Sequence, residues 1–100
     1  MSVDRIPVAH IRAVQTYLNV VDNAWTEAKV GSTALDSRKW VQLFNRSGYS
    51  IWYTYDNSLS IDNSFVLRSG GMVILPLSNA VPVYLRATTG AQMVVIAEVA

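Results

Sequence analysis

The stretch Lys39-Trp40-Val41-Gln42-Leu43-Phe44-Asn45-Arg46-Ser47-Gly48-Tyr49-Ser50-Ile51-Trp52-Tyr53-Thr54-Tyr55-Asp56 decides the fold class. Trp40, Val41, Leu43 and Phe44 lead in, and Ile51, Trp52, Tyr53 and Tyr55 lead out. These are the β-branched and aromatic side chains that fit a pleated surface. Asn45-Arg46-Ser47-Gly48 lies between, where Asn and Gly tolerate the positive φ of a tight bend. The stretch is therefore expected to be a hairpin.

Outward from it, the same signals recur. Residues 11–21 carry Ile11, Val14, Leu18 and Val21 at helical spacing, but their Val, Thr, Tyr and Ile content favours a strand, and strand is the reading taken. Asp22-Asn23 turns the chain into a short strand over residues 24–30, which Gly31-Ser32-Thr33 ends. Past Tyr55, residues 56–64 form a polar loop, Phe65 to Arg68 a short strand and Gly70-Gly71 a break. Met72 to Leu77 is a strand whose Pro76 points to an edge or bulge. Ser78-Asn79-Ala80 turns, Pro82 to Ala87 runs back, Thr88-Thr89-Gly90 makes a hairpin bend, and Gln92 to Val99 closes the domain. Turn signals about every eight to twelve residues mark an all-β sandwich or barrel. A single two-sheet antiparallel sandwich over residues 11–100 is expected, with a jelly roll as its nearest variant. Pro7 forces an extended backbone on residues 1–10, which read as an N-terminal arm.

Composition bears on what such a domain does. Of its 100 residues, 51% are hydrophobic and 15% charged, against roughly 25% charged in ordinary soluble domains. A domain of this size removes only about 65% of its unfolded surface from water. Part of the apolar excess is therefore expected against other chains, with three Trp, five Tyr and two Phe as the means. A net charge of +1 with scattered Lys and Arg offers no stripe for a phosphate backbone, so nucleic acid is not an expected partner. No apolar run reaches membrane-spanning length, and Met1-Ser2-Val3-Asp4-Arg5 does not open a signal peptide, so synthesis in a cytoplasm without membrane insertion is expected. With no Cys, disulfides and thiolate metal sites are excluded.

Chemistry is hard to place. His10, the lone histidine, falls in the arm without a nucleophile or orienting carboxylate beside it. The carboxylates fall mostly at turns, where Asp bonds its own backbone. Asp56-Asn57 with Asp62-Asn63 lacks the alternating acids, central Gly and closing Glu of a calcium loop. Glu98, in an apolar strand, would need Arg86 or Arg68 if it were buried; it is expected to face water or a neighbouring subunit. No catalytic residue, cofactor or metal site is expected.

The aromatics are the candidates for contact. By the two-residue period, Val41, Leu43 and Asn45 share one strand face and Trp40, Gln42 and Phe44 the other, while Ile51, Tyr53 and Tyr55 oppose Trp52 and Thr54. A sandwich strand has only one core face. Trp40, Phe44 and Trp52, or else Tyr53 and Tyr55, should then meet something else; these, with Trp25 and with Ile6, Pro7 and Val8 of the arm, are the candidate contact residues. Cover by the residue 56–64 loop or by the arm competes with a subunit contact for them. Trp40, Trp52 and Tyr53 also suit a sugar-stacking platform.

The run Arg38 to Ser47, Ile51-Trp52-Tyr53, Leu67 with Gly70-Gly71, Pro82 to Ala87 and the closing Val94-Val95-Ile96-Ala97-Glu98 resembles small β-sandwich structural proteins of tailed bacteriophage virions, the cement or decoration proteins and related head and tail subunits. The resemblance spans about residues 24–99 and lies in strand spacing. It implies a non-enzymatic virion protein, located in the virion, that binds the major capsid protein and neighbouring copies of itself, as a homo-dimer or trimer. A cement subunit stabilising the head is the expected role. A tail, neck or fibre-attachment subunit and a carbohydrate-binding module are the alternatives.

Overall fold

The computed structural model describes residues 12–100; the arm with Ile6, Pro7, Val8 and His10 lies outside the described residues. Eight strands form: β1 (Ala13–Val20), β2 (Thr26–Glu27), β3 (Trp40–Asn45), β4 (Ile51–Thr54), β5 (Phe65–Leu67), β6 (Met72–Leu75), β7 (Tyr84–Ala87) and β8 (Gln92–Val99), with a 3-10 turn at Ile61–Asn63. They make two four-stranded antiparallel sheets, β1-β8-β3-β6 and β2-β7-β4-β5, so the expected two-sheet sandwich is the fold. β1 is a strand and not a helix. Its exposed Ala13, Gln15, Tyr17 and Asn19 alternate with the more buried Val14, Thr16, Leu18 and Val20, the period of a pleat with one face on a core.

The pairing follows a simple rule. β1 lies against β8, β2 against β7, β3 against β6 and β4 against β5. The chain is a ribbon doubled back at residues 55–64, then rolled until β3 also meets β8 and β4 also meets β7. That is the jelly-roll arrangement.

It corrects the hairpin expected at residues 39–56, because β3 and β4 belong to opposite sheets. Asn45 is the reason. Its side chain is fully buried, and its Nδ2 donates to the carbonyls of Tyr49 at 2.7 Å and Leu67 at 2.9 Å. Its Oδ1 accepts from Ser47 N and Ser47 Oγ. The amide thus pulls residues 46–50 inward over the end of the core, towards the other sheet. The bend at residues 88–90 is likewise a crossing, since it joins β7 to β8. Between β5 and β6, Gly70 takes φ +76, and a Cβ on Gly71 would meet the Arg68 carbonyl oxygen at 2.9 Å. Only the β4–β5 connection stays within one sheet.

Val20, Val41, Leu43, Ile51, Val83, Leu85, Val94 and Ile96 are fully buried between the sheets. At the sandwich end where β8 finishes, the core closes on an ion pair. Glu98 is buried, contrary to the outward position expected for it, and its partner is Arg38 at 2.9 Å, not Arg86 or Arg68. Glu98 also accepts from Val30 N at 2.8 Å and Leu35 N at 3.1 Å. Arg38 donates through Nε to the Leu77 carbonyl and through Nη2 to those of Ser78 and Val81. One buried pair therefore ties the β2–β3 and β6–β7 connections to the last strand.

Candidate interaction surface

The two outer faces of the sandwich differ. On the β2-β7-β4-β5 sheet, Trp52 stands outward opposite Arg86 and beside Val66. The Arg86 guanidinium lies 5.9 Å from the Trp25 ring centre, and Trp25 Nε1 donates to the Leu59 carbonyl at 3.1 Å. Leu59 belongs to the loop between β4 and β5, whereas Trp25 precedes β2 at the far edge of that sheet. The loop therefore reaches the Trp25 side chain. Trp52 is half-buried and its indole nitrogen is shut from water. The cover by residues 56–64 that competed with a subunit contact is thus present for Trp25.

The β1-β8-β3-β6 sheet has no such cover among the described residues. Its outward side chains fall into cross-strand rows set by the register: Tyr17, Val95, Phe44 and Met72; then Gln15, Ala97, Gln42 and Ile74; then Ala13, Val99 and Trp40. Met93 adjoins them opposite Asn19. Tyr17 is 58% exposed, Met72 56%, Ile74 52%, Met93 41% and Phe44 36%. No charged side chain stands in these rows. Exposed cations flank them instead, with Arg12 before β1 and Lys39 and Arg46 at the two ends of β3.

The expected contact residues therefore divide. Phe44 lies in this open face. Trp40 lies at its end, half-buried, with its indole nitrogen enclosed. Trp25 and Trp52 are on the opposite side. Tyr53 points inward and packs on the core, stacking on Phe65 at 5.3 Å between ring centres; Tyr55 tilts against the same ring at 5.9 Å. Burial, then the neighbouring Tyr55, push the Tyr53 phenol above its ordinary range. Tyr55 and Phe65 remain exposed, a smaller aromatic group at the loop end of the other sheet.

Tyr17, Met72, Ile74 and Met93 were not singled out from sequence. Their signal was available: Met72 to Leu75 and Met93 to Ala97 are apolar at every position, so whichever face meets the core, the other is left apolar outside.

Little in the described residues is arranged for chemistry. A cleft of about 330 Å³ lies between β1 and residues 30–36, with Arg12, Val14 and Glu98 in its lining. The Glu98 oxygens in it are already taken by two amides and a guanidinium, so the carboxylate is occupied in holding the fold. Asp56 accepts from Ser58 N and Oγ, which keeps its carboxyl below the usual range and makes it a turn residue. Among the described residues no three His, Asp or Glu side chains gather as a metal site. Compared with protein-family models and with curated proteins, the chain matches none.

Proposed function

We propose that this is a non-enzymatic structural subunit of a virion, a cement protein that lays the outer face of its β1-β8-β3-β6 sheet on the major capsid protein and stabilises the assembled head. One observation carries the reading: the side chains projecting from that sheet make an uncharged, largely apolar surface with Tyr17, Phe44, Met72, Ile74 and Met93 open to water. Strands about 4.8 Å apart and a run of about seven residues at about 3.3 Å each give it roughly 400 Å², within the range of the largest and often functional patch on a monomer. It is about half of one partner's share in a standard interface. Each copy therefore binds modestly, and repetition over a shell makes the sum strong. A ligand that binds only the assembled state shifts the balance towards it. The flanking Arg12, Lys39 and Arg46 suit a partner surface with an acidic rim. Jelly rolls recur in viral capsid domains, which agrees with the reading without carrying it, since fold alone does not fix function.

The test compares particles assembled with and without the protein for heat tolerance, and with a Phe44→Asp/Ile74→Lys variant that folds normally. Particles with the wild-type chain are expected to survive to higher temperature, and the variant is expected neither to bind nor to protect. Equal tolerance in all three preparations overturns the cementing role. Label on the tail or neck alone assigns the same face to the tail-subunit alternative.

A further inference from the structure

The two free edges of the β1-β8-β3-β6 sheet are not alike. β6 has four residues and runs straight into Pro76, which has no N–H to offer. β1 has eight residues, Ala13–Val20, without a charge, a proline or a glycine, and among the described residues it pairs on one side only. Natural edge strands are usually blunted by charge, proline, a bulge or brevity. β1 has none of these.

Its hydrogen-bonding groups are set by the alternation of an antiparallel ladder. Arg12 and Ala100 exchange both backbone bonds, N to O at 3.1 Å and 2.8 Å. From that pair onward, Val14, Thr16, Leu18 and Val20 face β8, and Ala13, Gln15, Tyr17 and Asn19 turn their N–H and C=O groups to the open edge. No described residue bonds them. These four are also the exposed members of the strand, so a new strand would meet them without displacing anything described.

We propose that β1 pairs antiparallel with β1 of a second copy about a two-fold axis at Thr16, joining the two sheets into one. In this register Ala13 meets the partner's Asn19, Gln15 meets the partner's Tyr17, and Thr16 meets its own counterpart. All four outward-facing residues of each copy then exchange both of their backbone bonds, and no other centre on the strand uses all four. The occupant is another copy because the strand is its own complement. It has three residues before Thr16 and four after it, no like charges to oppose, and a Thr pair at the centre, where cross-strand hydroxyls are favourable. The joined sheet also makes the two uncharged outer faces continuous. The pairing stands on the free edge and not on the virion role, so either can fail alone.

Because the protein has no cysteine, a single engineered one reports the axis. At the centre, the paired residues are of the closer, non-hydrogen-bonded kind, whose Cβ separation suits a disulfide. In the full-length chain under mild oxidation, Thr16→Cys is expected to convert almost wholly to a covalent dimer, and Ser58→Cys, in the β4–β5 loop, is not. Sedimentation equilibrium of the wild-type chain at micromolar concentrations is expected to show dimers. Gln15→Lys/Tyr17→Lys, which opposes like charges twice, is expected to raise the dissociation constant at least about tenfold with an unchanged circular dichroism spectrum. A wild-type chain that sediments as a monomer overturns the proposal. So does a dimer in which Thr16→Cys cross-links no faster than Ser58→Cys, because that dimer uses another surface.

Discussion

Arg38 and Glu98, 60 residues apart in sequence, meet at 2.9 Å with both side chains closed off from water. Taking one partner from such a pair leaves a charge buried alone, at about 3–5 kcal/mol. Arg38→Met and Glu98→Gln are each expected to lower unfolding free energy by that order in a urea titration. Removing both is expected to cost less than the sum of the two. It does not restore wild-type stability, because Val30 N and Leu35 N lose their acceptor and the carbonyls of Leu77, Ser78 and Val81 their donor.

Asn45 gives a second prediction, in which size stays constant and hydrogen-bonding capacity changes. Asn45→Asp keeps the shape but cannot donate to the Tyr49 and Leu67 carbonyls. It also places a charge in the core. The expected loss exceeds about 2 kcal/mol, is read by chemical denaturation, and shrinks at acid pH where the new carboxyl is protonated.

For the open sheet face the expected result is the reverse. Met72→Lys and Ile74→Lys alter side chains that are more than half exposed, so unfolding free energy should move by no more than about 0.5 kcal/mol. Solubility at high concentration is expected to rise. A large loss of stability would show that the face is covered within the isolated molecule.

Tyr53 sets a limit on the alkaline side. Its raised pKa means that the folded chain keeps the phenol proton where the unfolded chain, titrating near about 10, has begun to lose it. Above that pH the unfolded state binds fewer protons, so stability falls as pH rises. Below it the contribution is fully present. Thermal melts from neutrality upward are expected to show this decline, and Tyr53→Phe to flatten it.

How far the sequence disclosed these features depends on the kind of information each needs. The strands were legible, because β propensity and turn residues are local. β8 was read at its observed bounds, and β1 was read as a strand despite its helical spacing. Which strands pair was not legible. Asn45 to Gly48 and Thr88 to Gly90 announce that the chain bends, and a bend within one sheet carries the same residues as a bend over the end of the sandwich. The Asn45 side chain settles the first case, through a carbonyl 22 residues away. Glu98 failed for the same reason, its partner being set by the rolling of the ribbon. The excess of apolar over charged residues did indicate an open apolar surface. It pointed to tryptophans, yet rings that large are drawn into partial cover at sheet margins and under the 55–64 loop. The exposed places fell to Tyr17, Phe44 and a set of methionine and isoleucine side chains.

The doubled ribbon has a mechanical corollary. Arg12 and Ala100 are bonded neighbours, so a load applied through those two points pulls apart the β1–β8 ladder from its open end. The bonds then break in succession, like a zip, and not together as in sheared strands. A subunit anchored at that end would give way at low force, whereas one gripped across its sheet face would bear the load over the whole fold.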